Sequence, residues 1–242
     1  GRVSIETRPV LIGPLPLLLL GKGVDGFVPF ELSEKLIAAY REVLTLLAEK
    51  KVEWVQFDEP ILATDLPEGA AAFFEKAYTA LTNSSVKLML TTYFDRIGDN
   101  LSLALGANTA GLHLDLVRAP EQLATVLSAL KPQQSLSLGC VEGRNIWLTD
   151  FASARNHITE AVEKLGADRV IIAPSCSLLH VPHDLRSETK LPGRVKSWLR
   201  FAEEKLAEVV ALAHFDQAAY GNNIAAIADR EAAESSKTAS VR

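Results

Sequence analysis

Residues 53–62 read EWVQFDEPIL, an apolar run over 52–57 that stops at Asp58-Glu59-Pro60. A short run rich in apolar and aromatic residues, closed by two acids and a proline, reads as a buried strand with a polar carboxyl end. The pattern recurs along the chain. An earlier run covers 9–12 and reads as continuing into 15–20; later runs cover 86–94, 111–117, 135–141 and 169–174. Between them the apolar residues take a helical period. Ser33 stands where it could cap a helix whose Leu36, Ile37, Tyr40, Val43, Leu44 and Leu47 share one face. Pro67 and Pro120, each followed by an acid, read as first-turn prolines. Asp150 opens a helix that Gly166 closes, and Pro192 opens a long final helix through Trp198, Phe201, Leu206, Val209 and Leu212.

Strands alternating with helices imply right-handed βαβ units and a mostly parallel sheet. Nearly continuous apolar strands fit a sheet covered on both faces. No G-x-G-x-x-G follows any strand, so a dinucleotide-binding fold has no support. Polar residues gather just after the strands, at Asp58-Glu59, Thr91-Thr92, Asp115, 142–145 and 175–177. A barrel carries its functional residues at those carboxyl ends. The expected fold is therefore an α/β, (β/α)8 TIM-type barrel, incomplete here with about six βα units. Residues 1–215 read as the partial barrel. Residues 216–242, rich in Ala, Glu, Ser and Lys, read as a weakly packed helix and linker.

The 242 residues are 48% hydrophobic and 23% charged, an ordinary globular balance. A formal net charge of -5 gives no basic footprint for nucleic acid or an anionic membrane. The longest apolar stretch, 10–20, contains Gly13, Pro14 and Pro16 and is too short to span a bilayer. Residues 1–7 lack the apolar core of a signal peptide, so the cytoplasm is expected. Cys140 and Cys176 form no disulfide framework and no close metal pair, and read as buried thiols.

Several segments resemble the amino-terminal half of the cobalamin-independent methionine synthases. They are PVLIGPLPLLLLGK (9–22), EWVQFDEPIL (53–62), VKLMLTTYFD (86–95), GLHLDLV (111–117), GRNIW (143–147) and SCSLLHVPHDLRSETKL (175–191). They follow the family's order and spacing from about Thr7 to Phe215. The resemblance implies a two-barrel enzyme that moves a methyl group from polyglutamylated 5-methyltetrahydrofolate to homocysteine. Zinc in the carboxy-terminal barrel would bind the homocysteine sulfur, because the thiolate is the good nucleophile. The present chain would then be barrel strands three to eight of the other half, a non-zinc scaffold on the folate side whose partner is its own carboxy-terminal barrel.

By strand position, the resemblance places the zinc ligands of the catalytic barrel near Leu90, Thr92, Asp115 and Cys176. Only a carboxylate and a thiol remain of that set, too few for a zinc site. Asp58 matches an Asp that holds the amino acid, whereas Thr64 stands where a folate-contacting Glu is expected. Glu59 could form an acid/base pair with Asp58, or one of the two could cap a turn while the other meets a cation. Arg144 could hold an acidic glutamyl tail by its planar fork, or form a structural salt bridge. The expected substrate-binding set is Asp58, Glu59, Asp115, Arg144 and Cys176. No residue is read as catalytic or metal-binding, and no cofactor is expected in this segment. His180 and His183, three apart with Pro182 between them, read as loop hydrogen-bonding groups rather than ligands. The alternative is a self-sufficient barrel enzyme of decarboxylase-like type using Asp58, Asp115 and Arg144.

Overall fold

The computed structural model describes residues 7–240; of the last four of these, only the backbone is described. The reading of residues 1–7 therefore falls almost wholly outside the described residues. The elements begin with β1 (Val10–Ile12), α1 (Pro14–Leu20), α2 (Ser33–Glu49), β2 (Trp54–Asp58), α3 (Ala70–Leu81) and β3 (Lys87–Thr91). They continue with α4 (Leu101–Gly106), β4 (Gly111–Asp115), α5 (Gln122–Ala129), β5 (Ser135–Val141) and α6 (Phe151–Leu165). The last are β6 (Val170–Pro174), α7 (Gly193–Ser197), α8 (Ala202–Ala213) and α9 (Gln217–Ser240). The chain forms two compact units, one of residues 7–114 and 124–136, the other of 115–123 and 137–240.

In the first unit the strands lie in chain order, β1-β2-β3-β4, and all pair in parallel. β2 alternates as its sequence requires. Val55 and Phe57 are fully buried, while Trp54, Gln56 and Asp58 are half-buried on the other face. Phe57 meets Tyr40 of α2 and Tyr78 of α3 edge-on, with ring centroids 5.4 and 6.2 Å apart. Burying a ring of this size contributes about 1.5–3 kcal/mol. α3 presents Phe73, Phe74, Ala77, Tyr78 and Leu81 on one buried stripe, which is why AAAFFEKAYTAL is helical. In the second unit β5 and β6 are neighbours, and α6 links them. Asp150 caps α6 by accepting from the Ala152 and Ser153 N–H groups, and Gly166 closes it.

Four expectations are corrected. The run 15–20 is not a strand: it is α1, whose Pro14 takes the first helical position with φ already fixed. Pro16 also sits in the first turn, where a missing N–H costs no helical bond. Pro67 and Pro120 lie before their helices, in turns where their carbonyls accept from Ala70 and Leu123. Ser33 is the first residue of α2 and its hydroxyl donates to Phe30 O instead of capping; Val43 of the expected face is exposed. The long final helix is interrupted between α7 and α8. Leu148 N donates to Trp198 O and Arg200 N to Ile146 O, so residues 198–200 pair with 146–148 as a short antiparallel bridge.

The chain's last segment is helical through α9, and it is specifically tied down. Asn223 is buried, accepts from Phe151 N and donates to Thr149 O. Asp229 receives Arg194 and the Trp198 indole. Among the described residues, no helix is long and apolar enough to cross a membrane.

Candidate functional site

The first unit holds Asp58 and Glu59, and the strand period sends them to opposite faces. Asp58 is half-buried, accepts from Gln56 Nε2 at 2.7 Å and receives the Tyr93 hydroxyl at 3.2 Å. Burial raises its carboxyl; the Gln56 and Tyr93 hydrogen bonds and the nearby Arg8 charge act the other way. It is the less buried acid of the pair.

Glu59 has no exposed surface. Its Oε1 accepts from the Tyr78 hydroxyl at 3.0 Å and from Leu15 N at 3.4 Å, while Oε2 has no partner. Burial pushes this carboxyl up to about 8, against the pull of the Tyr78 and Leu15 hydrogen bonds. It is therefore mostly a neutral acid at neutral pH. Among the described residues no lysine or arginine pairs with it, and its side chain does not cap the turn that follows β2; it accepts instead from Leu15 N in the first turn of α1. Gly13 makes room for it: a Cβ there would run into the Glu59 carboxyl. The β1–α1 turn closes over this acid, with Gly13 N donating to Asp58 O at 2.8 Å.

The second unit brings Asp115, Arg144 and Cys176 together, with Glu142 as a fourth member that the sequence placed only in a polar cluster. Asp115 is buried; its Oδ1 accepts from Val117 N at 3.1 Å and Arg118 N at 2.9 Å, fixing the turn after β4. Glu142 lies 3.6 Å from Arg118 and accepts from Arg144 N at 3.0 Å. The Arg144 side chain is exposed, and its charge acts on Cys176. Gly143 donates to Ser175 Oγ, and a Cβ on it would meet Cys176 Sγ at 2.8 Å, so only glycine lets the loop lie against the thiol. Burial pushes the Cys176 thiol up to about 11; Asp115 and Glu142 raise it further, while Ser175 and Arg144 lower it. Cys176 is held as a thiol, a poor nucleophile and a poor ligand.

Behind this cluster stands a buried charge network that the sequence reading missed. Lys205 is fully buried, donates to Trp147 O at 3.0 Å, and burial lowers its ammonium despite Glu208 and Glu142 nearby. Glu208 accepts from Thr149 N and Oγ1 and lies 3.3 Å from Arg200. The signal was available: Phe201, Lys205, Glu208 and Leu212 fall at i, i+4, i+7 and i+11, a single helical stripe whose apolar ends are buried. A cavity of about 260 Å³ adjoins Glu142, Thr149 and Cys140.

Among the described residues, His180 and Cys176 fall in no group of three close ligand atoms. His183 stands instead beside Asp184 and Glu203.

A family model described as the cobalamin-independent synthase, N-terminal domain, matches residues 2–166. The chain is 47% identical over 215 residues to a 5-methyltetrahydropteroyltriglutamate–homocysteine methyltransferase of Candida albicans, covering 87% of this chain and 28% of that protein. The proteins of the same name from Xylella fastidiosa and Caulobacter vibrioides are 49% identical over 212 residues and 44% over 233. They too extend far beyond the match, which takes in 28% and 30% of their lengths. Among solved structures, the B12-independent methionine synthase of Shewanella sp. W3-18-1 in complex with selenomethionine superposes with a TM-score of 0.56 at 14% identity. That match covers 85% of this chain and 60% of the other, and establishes the likeness of fold. By sequence, the chain belongs to the cobalamin-independent methionine synthase family and represents its amino-terminal domain.

Proposed function

We propose that this chain is the folate-side scaffold, without the thiol-activating zinc, of a cytoplasmic enzyme that transfers the methyl group of 5-methyltetrahydropteroyltriglutamate to homocysteine. The observation that carries the reading is the 44–49% identity to methyltransferases of that name along almost the whole chain. The chain spans 28–30% of the length of those relatives, so the activity belongs to the larger protein. Its partner is the carboxy-terminal barrel of that protein.

The donor set supports a scaffold role. Of the positions matched to the family's zinc ligands, Leu90 has no donor atom and the Thr92 hydroxyl already donates to His113 O at 2.9 Å. Asp115 spends an oxygen on two backbone N–H groups, and Cys176 is a protonated thiol. A zinc ion that activates a substrate thiol needs three protein ligands and an open position, and these residues do not supply them. Asp58, half-buried, and Arg144, exposed, are the least buried residues of the proposed set. Asp58 suits an ammonium or amide donor of a substrate, and Arg144 a glutamyl carboxylate.

The self-sufficient enzyme has less support. Asp115, one of the three groups such an enzyme would use, is buried and committed to its turn. The test is a methyl-transfer assay with zinc, homocysteine and the triglutamyl folate, run on the purified chain and on the full-length protein that carries it. The chain alone is expected to give background and the full protein turnover. Turnover by the chain alone would overturn the scaffold reading. In the full protein, Arg144→Ala is expected to raise KM for the triglutamyl folate more than it lowers kcat.

A further inference from the structure

We infer that His183, Asp184 and Glu203 form a surface zinc site, which owes nothing to the ligand positions discussed above. Their donor atoms all lie within 4.8 Å of one another. His183 Nδ1 is 3.0 Å from Asp184 Oδ2 and 3.7 Å from Glu203 Oε1. Ligands of a tetrahedral zinc, at the usual Zn–N and Zn–O lengths, are separated by about 3.3–3.5 Å. The two spacings straddle that value, and all three donor atoms stay within 4.8 Å of one another. One imidazole and two carboxylates leave a fourth position for water, the composition of an open zinc site.

The chain holds these three donors together before any metal arrives. Glu203 is 20 residues beyond His183, yet Glu203 N donates to His183 O at 3.0 Å and Ala202 N to Pro182 O at 2.9 Å. Glu204 clamps the same junction, its two oxygens accepting from Leu185 N and Phe201 N. Asp184 accepts from Arg186 N and Ser187 N through Oδ1, which leaves Oδ2 to face the imidazole. The first turn of α8 fixes the backbone of Glu203. Side-chain hydrogen bonds from Arg186 and then His183 hold the Asp184 carboxyl well below the usual carboxylate range.

One group competes. Arg186 Nη2 lies 2.7 Å from Glu203 Oε2 and 3.2 Å from Asp184 Oδ2. It is a resident cation on a long, exposed side chain that can swing into water when a dication displaces it. This gives the site its signature. Loss of Arg186 must tighten metal binding, the reverse of what loss of an ordinary supporting residue does.

The experiment is a zinc titration of the purified chain against a chromophoric chelator, with circular dichroism to check the fold of each variant. One zinc per chain is expected, weakened on the order of tenfold by His183→Ala and strengthened by Arg186→Ala. Cys176→Ser is expected to change nothing. X-ray absorption at the zinc edge should find nitrogen and oxygen neighbours only. Absence of binding, sulfur in the coordination shell, indifference to His183→Ala, or weaker binding in Arg186→Ala would each overturn the assignment.

Discussion

The Tyr78 hydroxyl donates a 3.0 Å hydrogen bond to Glu59 Oε1, and neither side chain has any exposed surface. The same oxygen receives Leu15 N, so one carboxyl joins the end of β2, the start of α1 and the middle of α3. A neutral acid suits this place: Oε1 accepts as a carbonyl would, and Oε2 has no partner that would stabilise a charge on it. An ionised Glu59 would be a charge with no cation beside it, flanked by Tyr40 and by Asp58, whose own charge disfavours a second one.

This arrangement predicts a pH dependence with a definite sign. The folded chain keeps the Glu59 proton up to about 8, whereas the ordinary carboxyl releases it at 4.5. Between those values the folded state binds the extra proton, so stability falls as pH rises. The contribution is complete below the unfolded value and is lost through the interval up to about 8. Glu59→Gln keeps the shape and removes the titration. Wild type is expected to weaken relative to Glu59→Gln on going from acid to alkaline buffer, by on the order of several kcal/mol. Urea unfolding at both ends of the interval measures it; parallel behaviour of the two proteins would refute it.

Gly13 is the matching prediction on packing. Gly13→Ala pushes a methyl into the Glu59 carboxyl and should cost about 1–3 kcal/mol. In a Glu59→Ala background the space is vacant, and the same change should cost less. A double-mutant cycle with no coupling would show that the turn adjusts without touching Glu59.

Where the sequence was legible, a local rule decided the structure. β5 has the expected bounds because an apolar run flanked by turn residues admits few alternatives, and Asp150 and Gly166 bracket α6 by cap chemistry. The run 15–20 failed because four consecutive leucines carry no period, and the deciding residues were Pro14 and Pro16. Glu59 lay beyond local reading altogether. Its partners are 44 residues before and 19 after it, and only the packing of α1 and α3 reveals that the acid is neutral. His183 reads from its spacing only as a loop hydrogen-bonding group, whereas the fold sets it beside Asp184 and Glu203.

Both thiols should be inert in the folded chain. Burial pushes Cys140 up to about 12 and Cys176 to about 11. Alkylation by iodoacetamide needs the thiolate. At neutral pH neither cysteine should be modified on the time scale that labels the urea-unfolded chain, with mass spectrometry as the readout. Rapid labelling of folded Cys176 would contradict the geometry that Gly143 imposes on it.

The buried pair in α8 should be asymmetric under mutation. Glu208→Ala strands Lys205 and Arg200 and removes the acceptor of Thr149 N and Oγ1, at a cost of about 3–5 kcal/mol. Glu208→Gln keeps an oxygen for Thr149 and should cost less. Equal, small losses in chemical denaturation would mean that the network carries no stability.

The open sheet gives the last prediction. A closed barrel leaves no strand unpaired, but among the described residues β1 and β6 each have a neighbour on one side only. β1 is short, but Val10 and Ile12 are 55% and 58% exposed on one of its faces, and β6 is only half-buried along its whole length. Nearby, Leu20 and Val24 are 68% and 84% exposed. Free backbone groups beside exposed apolar side chains favour pairing with another chain. The usual protections are missing from β1: its residues are Val, Leu and Ile, with no lysine on the edge and no bulge in its three-residue register with β2. The isolated chain is therefore expected to self-associate, and a lysine at Val10 or Ile12 should shift it towards the monomer. Sedimentation velocity with the mass checked measures both. A monodisperse wild-type monomer of 26.3 kDa that melts cooperatively would show that this sheet tolerates its edges and that the exposed face of β1 is not adhesive.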